Sequence, residues 1–133
     1  MELLELRKTV FAIFGISEAC DLESALWTAI RDRNEGVFDA FAALDLEMDE
    51  DLMQPIFQYY LADRKGKMQD FTPPTLAGLM ARLAGDSGDI VDMCAGTGAL
   101  TIMAWVLNRQ RHFELLEADP HVLPFLLFNL ALR

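Results

Sequence analysis

Basic residues are scarce in this chain. Eleven Lys and Arg stand against 21 Asp and Glu in 133 residues, a formal charge of −10. The isoelectric point is near 4.4. Gripping a nucleic-acid backbone takes clustered cations, so the chain by itself is not expected to do so. Cysteine is scarcer still. Cys20 and Cys94 alone exclude a disulfide scaffold and supply too few thiols for a structural zinc site. A reducing, cytoplasmic location is the expectation. Long hydrophobic runs are also missing. The longest near the end, Val122 to Phe128, is broken by Pro124 and followed by Asn129, well short of the roughly 20 apolar residues of a membrane span. The first ten residues carry Glu2, Glu5, Arg7 and Lys8, which does not fit a secretory leader.

What is present suffices for a core, since 53% of residues are hydrophobic. The length allows one domain, or a small domain with a helical extension. Charge is uneven. Residues 1–53 carry a net −9, residues 54–85 a net +2 and residues 86–133 a net −3. The first third is thus expected to be an acidic, solvated surface. Arg64, Lys65 and Lys67 form one small basic cluster, expected as a solvated helix end.

The first half reads as helices. A first helix runs from Leu3 to Phe14 and stops at Gly15. Ser17, Glu18 and Asp21 suggest the cap and acidic first turn of a second. Its apolar positions Leu22, Ala25, Leu26, Ala29 and Ile30 have helical spacing, and Arg31, Arg33, Asn34 and Gly36 look like its end. Val37 to Leu44 suggests a short third helix. A fourth is expected to start at Asp49, with Pro55 near its beginning. The acidic run Glu47 to Asp51 is expected as cap and loop. Trp27, Tyr59, Tyr60 and Trp105 are expected at helix interfaces. Met48, Met53, Met68, Met80, Met93 and Met103 are expected as core or interface filler.

The second half changes character. Phe71-Thr72-Pro73-Pro74 is extended, because residues before proline avoid the helical region. A helix follows over Thr75 to Leu83, then a buried apolar strand over Asp89 to Cys94. Ala95-Gly96-Thr97-Gly98 is a tight loop opening a helix over Ala99 to Leu107. A second strand covers Arg111 to Ala118, and a last helix Pro120 to Leu132. Strands separated by helices imply a parallel βαβ unit.

The sharpest local signal is Asp92-Met93-Cys94-Ala95-Gly96-Thr97-Gly98. Glycines are needed where the chain turns tightly and a ligand approaches the backbone. The full dinucleotide fingerprint is absent, since its third glycine position holds Thr101. A P-loop is absent as well. Taken alone, the pair of glycines fits a plain βα turn as well as a ligand loop. Glu117, at the end of the second strand, adds weight: an acid there can accept hydrogen bonds from ribose hydroxyls. Asp119, ahead of Pro120, suits a helix cap. Cys94 has no neighbouring base in sequence and is expected as a small packed residue rather than a nucleophile. His112 and His121 are expected as surface or helix-start residues.

The loop resembles the first motif of S-adenosylmethionine-dependent methyltransferases. It is most similar to amino-group (N6-adenine) DNA methyltransferases, including the modification subunits of type I restriction-modification systems. Upstream, Phe71-Thr72-Pro73 matches that family's Phe-Thr-Pro element. Downstream, Glu117 and Asn129-Leu130 match its acid and its Asn-Leu pair. The resemblance covers about residues 69–133. It implies S-adenosyl-L-methionine as cofactor. Phe71, Thr72 and Pro73 would line the methionine end. Asp92 would orient the amino-acid part or hold the loop. Cys94 stands where relatives often have cysteine. Ala95, Gly96, Thr97 and Gly98 would bring backbone to the ligand. Glu117 would take the ribose hydroxyls, and Ala118 and Asp119 would flank the adenine.

One departure limits this. The family's catalytic Asn/Asp-Pro-Pro-Tyr/Phe motif occurs nowhere in these residues, and Pro73-Pro74 belongs to the upstream element. No catalytic residue is assigned. The expected fold class is α/β: a helical N-terminal region over 1–66, then an incomplete Rossmann-like methyltransferase region over 67–133. The expected function is that of a truncated methyltransferase-like protein, inactive as this chain, whose parent methylates DNA. The alternative is a non-catalytic cofactor-binding or interaction module that forms a homodimer or pairs with a complementing chain. Its final helix (Val122, Leu123, Phe125, Leu126, Phe128) would be an interface.

Overall fold

The computed structural model describes residues 2–44, 46–47 and 49–133, so Met48 and its expected packing lie outside the described residues. Seven α-helices and one two-stranded parallel sheet make a small mixed α/β structure among these residues. The helices are α1 (Leu3–Phe14), α2 (Leu22–Arg31), α3 (Glu35–Ala42), α4 (Gln54–Tyr60), α5 (Pro74–Ala84), α6 (Ala99–Leu107) and α7 (Leu123–Ala131). A single 3-10 turn, Ala19–Asp21, precedes α2. The strands are β1 (Ile90–Asp92) and β2 (Phe113–Leu115), with Val91 opposite Glu114 and Asp92 opposite Leu115.

Local chemistry explains most boundaries and several departures. Helices α1 and α6 have the bounds the pattern predicts. Ser17 does not cap α2; the intervening 3-10 turn moves the start to Leu22. Asn34 does not end α2 but caps α3, its side chain accepting the Val37 N–H at 3.2 Å. An asparagine oxygen satisfies an orphan donor there. Helix α4 begins at Gln54 rather than Asp49, because Asp51 Oδ1 accepts the Gln54 N–H at 2.9 Å. Both strands are shorter than expected. Nor is β1 buried on both faces: Val91 is 59% exposed, and only Asp92 is buried.

Helices α1 to α4 do not form a core of their own. Leu6, Val10, Leu22, Leu26, Phe41, Met53 and Ile56 pack in one cluster with Val122, Phe125 and Phe128 of the α7 segment. Residues on either side of position 66 therefore share this core. Phe128 lies at its centre, fully buried, with its ring 5.4, 5.3 and 5.0 Å from those of Phe14, Phe38 and Phe41. Tilted and offset rings at such distances attract each other beyond their area burial. The apolar face of the last helix is consequently used inside the chain, which overturns its expected role as an outer interface.

The strand layer is more open. Helices α5 and α6 pack together, and α6 lies on β1. Leu79, Leu83, Val91, Met93 and Leu116 are exposed around this layer. Five expected fillers lie at the surface: Tyr59 is 71% exposed and Met68 83%, and Trp27, Met80 and Met93 are exposed. The short α4 and the loop after it leave Tyr59 and Met68 no partner layer to enter. No helix among the described residues is long and apolar enough to cross a membrane.

Candidate functional site

The carboxyl ends of β1 and β2 bring the sequence-separated motifs together. After β1, the backbone turns through Gly96 (φ 55°) and Gly98 (φ 109°) before entering α6. Residues with a Cβ disfavour that region, and Gly98 lies beyond the part asparagine tolerates. Space is short as well. A Cβ on Gly98 would stand 3.1 Å from Leu126 Cδ1 of α7, and one on Gly96 3.3 Å from the Phe71 ring. The Phe71 ring also packs edge-on to Phe57 at 5.5 Å. This places Phe71 against the glycine loop across 25 positions of sequence.

Glu117 fastens the two strand ends. Its Oε2 accepts the Gly96 N–H at 2.8 Å, and its Oε1 accepts the Asp119 N–H at 2.8 Å. Carboxylate oxygens keep lone pairs beyond these bonds. Asp92 is turned inward. Oδ2 accepts from Thr101 Oγ1 at 2.9 Å and Oδ1 from the Cys94 N–H at 3.3 Å. Asp92 thus ties β1 to the first turn of α6 and shapes the loop. Cys94 is exposed rather than packed at the strand end. Ala95 is buried, its N–H donating to the Leu116 carbonyl at 3.0 Å. Ala118 and Pro73 are exposed, and Thr72 is half-buried.

Asp119 anchors a second polar group. Lys67 Nζ donates to its Oδ2 at 2.7 Å, Gln69 Nε2 to the same oxygen at 2.6 Å, and the His121 N–H to Oδ1 at 3.1 Å. Burial works against its charge, but these donors and the Lys67 cation outweigh it and hold the carboxyl below the usual range. The basic cluster is exposed, as expected of a solvated helix end, and two of its members pair within the chain, since Arg64 also faces Asp70 at 3.4 Å. His121 Nδ1 lies 2.9 Å from Glu23. A cavity of about 160 Å³ opens here, between Phe57, Gln69, Asp119, His121 and Phe125. Larger grooves of about 560 and 630 Å³ lie beside α3 and α4, and one of about 280 Å³ borders Asp92, Met93 and Thr101.

The residues that sequence reasoning passed over are Asp51 and Gln54. Asp51 Oδ2 accepts from Thr97 Oγ1 at 2.5 Å, and its Oδ1 from Asn129 Nδ2 at 2.6 Å. Asn129 Nδ2 also donates to the Thr97 carbonyl at 2.8 Å. Gln54 Nε2 donates to the Thr72 carbonyl at 3.0 Å. Burial pushes the Asp51 carboxyl up, against the hydrogen bonds and the Arg133 charge that favour its ionised form. Asp51 read as an ordinary cap because its partners are 46 and 78 positions away. The one available signal was Asn129, a polar residue on an otherwise apolar helix.

No family model matches the chain, and no curated protein or solved structure matches it either.

Proposed function

We propose that this chain binds S-adenosyl-L-methionine, or its demethylated product, at the carboxyl ends of β1 and β2. In this reading β1, α6 and β2 open a Rossmann-like sheet of the amino-group DNA methyltransferase type. The observation that carries it is the 2.8 Å bond from Gly96 to Glu117, which joins the glycine loop to the acid at the end of the second strand. The residues fit such a ligand. Gly96 and Gly98 have the left-handed conformation that a tight strand-to-helix ligand loop needs, and Gly96 is not fully buried. Glu117 has acceptor capacity for ribose hydroxyls. Phe71 offers an aromatic wall against Gly96. Asp119, Gln69 and Phe57 border the neighbouring cavity.

When bound, the cofactor would supply an electrophilic methyl group. The chain's own residues would hold and orient it. Asp92, committed to Thr101 and Cys94, would keep the loop in shape rather than touch the ligand. The 133 residues contain no Asn/Asp-Pro-Pro-aromatic motif, so methylation of DNA by this chain alone is not expected. Its net charge of −10 also argues against tight DNA binding by it. The test is calorimetry or thermal shift with S-adenosylhomocysteine, comparing the wild type with Glu117→Ala. Saturable binding weakened by the substitution supports the reading. An unchanged melting temperature at millimolar ligand would refute it.

A second reading is a protein-interaction module. It is favoured by the exposed Val91, Met93, Leu79 and Leu83 around a two-stranded sheet, because unpartnered strand edges invite pairing. A homodimer or a complementing methyltransferase chain would satisfy it. Sedimentation equilibrium separates these from a monomer.

A further inference from the structure

We propose that Asp51 and Gln54 are positioning residues of the ligand site: from the helical half of the chain they clamp the glycine loop and the Phe71-Thr72-Pro73 segment at a fixed separation. This deepens the cofactor reading above and rests on it for the ligand, but not for the clamp itself.

The two ligand-facing segments share no backbone hydrogen bond with each other among those between elements and loops. Besides the Phe71 ring packed on Gly96, what joins them is the start of α4 and the residues leading into it. Asp51 takes the loop by its middle residue. Thr97 lies between the two left-handed glycines, is 1% exposed, and is held at both ends, its hydroxyl by Asp51 and its carbonyl by Asn129. Asn129 is itself bonded to Asp51, so the three residues form a closed ring of hydrogen bonds. Asp51 also fixes the start of α4 through the Gln54 N–H. Gln54, 7% exposed, then reaches the opposite way to the Thr72 carbonyl. Hydrogen-bonded buried polar groups have few alternative arrangements; in this ring Asn129 is held through Nδ2 alone, its Oδ1 being buried without a partner. Glycine loops have many, because glycine restricts the backbone least. The clamp therefore supplies the rigidity that Gly96 and Gly98 remove. Such preorganisation raises affinity by cutting the ordering cost of binding.

The experiment compares Asp51→Ala, Asp51→Asn and Gln54→Ala in the full chain. Asn34→Ala serves as a stability control, because that cap on α3 touches neither segment. Two readouts are taken: amide hydrogen exchange at Ala95–Gly98 and Phe71–Thr72, and the Kd for S-adenosylhomocysteine. Asp51→Ala is expected to speed exchange at the glycine loop and to weaken binding about tenfold, the effect of losing a buried charge-assisted hydrogen bond. Asp51→Asn is expected to restore both, because its oxygen can accept from Asn129 and Gln54 while its amide donates to the Thr97 hydroxyl. Gln54→Ala, which leaves the loop arm intact, is expected to loosen Phe71–Thr72 selectively and decides the case should Asp51→Ala not fold. Unchanged exchange in both alanine variants overturns the proposal. So does a loss that Asn34→Ala reproduces at equal melting temperature. If the wild type binds no S-adenosylhomocysteine, the cofactor reading falls while the exchange data still decide the clamp.

Discussion

Replacing Phe128 with alanine tests whether the helical and strand-bearing regions are one cooperative structure. The side chain is fully buried and meets three aromatic rings. Phe→Ala in a core costs about 3–5 kcal/mol, from lost transfer free energy plus the cavity left behind. Where the walls collapse, the value falls to the low end. Here the walls are Phe14, Phe38 and Phe41, planar rings carried by α1 and α3, which cannot close a gap without moving those helices. The expected loss is therefore about 4 kcal/mol, a large part of the 5–15 kcal/mol typical of a domain. The assay is urea unfolding of two single-tryptophan proteins, Trp27→Phe and Trp105→Phe. The remaining tryptophan then reports on α6 or on α2. Because Phe128 sits on α7, whose Leu126 contacts Gly98, both probes should shift together with an unchanged slope. A loss under about 1 kcal/mol, or a shift seen only by Trp27, would refute the reasoning.

Gly98→Ala should destabilise the chain by about 1–3 kcal/mol, through a disfavoured φ and the approach to Leu126, as read by thermal melting. Asn34→Ala removes the α3 cap and should cost about 1 kcal/mol in the same measurement. The Asp51 carboxyl is raised by burial, with Arg133 its attracting charge and Asp49 acting on Arg133. A carboxyl raised in the folded state is most compatible with folding when protonated, and that advantage is lost as pH rises through its folded pKa. Wild type should therefore gain stability relative to Asp51→Asn as pH falls from 7 toward 4, the lower end set by the ordinary carboxyl range; a pH-independent gap would contradict this.

Local chemistry made much of the architecture legible in the sequence. Gly15 ends α1, Pro74 starts α5 within one residue of expectation, and the loop Ala95–Gly98 leads into α6 at Ala99. These features depend on backbone preference and short-range spacing, which a sequence carries directly. The glycine loop and Glu117 stand out in the sequence by residue type and position, whereas Phe71 stands out only through the family resemblance; the structure brings Phe71 against Gly96 and Glu117 onto the Gly96 N–H. The exposure of Val91 and Tyr59 could not, since an apolar residue shows no sign of lacking a layer to pack against.

Sequence alone thus determined which segments are helical, that the two strands are separated by a helix, and where the backbone must turn through glycine. Tertiary structure alone decided that α7 completes the core of α1 to α4. It also decided that Asp51 meets Thr97 and Asn129 across 46 and 78 positions. The reason is physical. Helix caps and turns are settled by neighbours a few residues away. A buried carboxylate is settled by whichever distant donors the packed helices bring within hydrogen-bond reach.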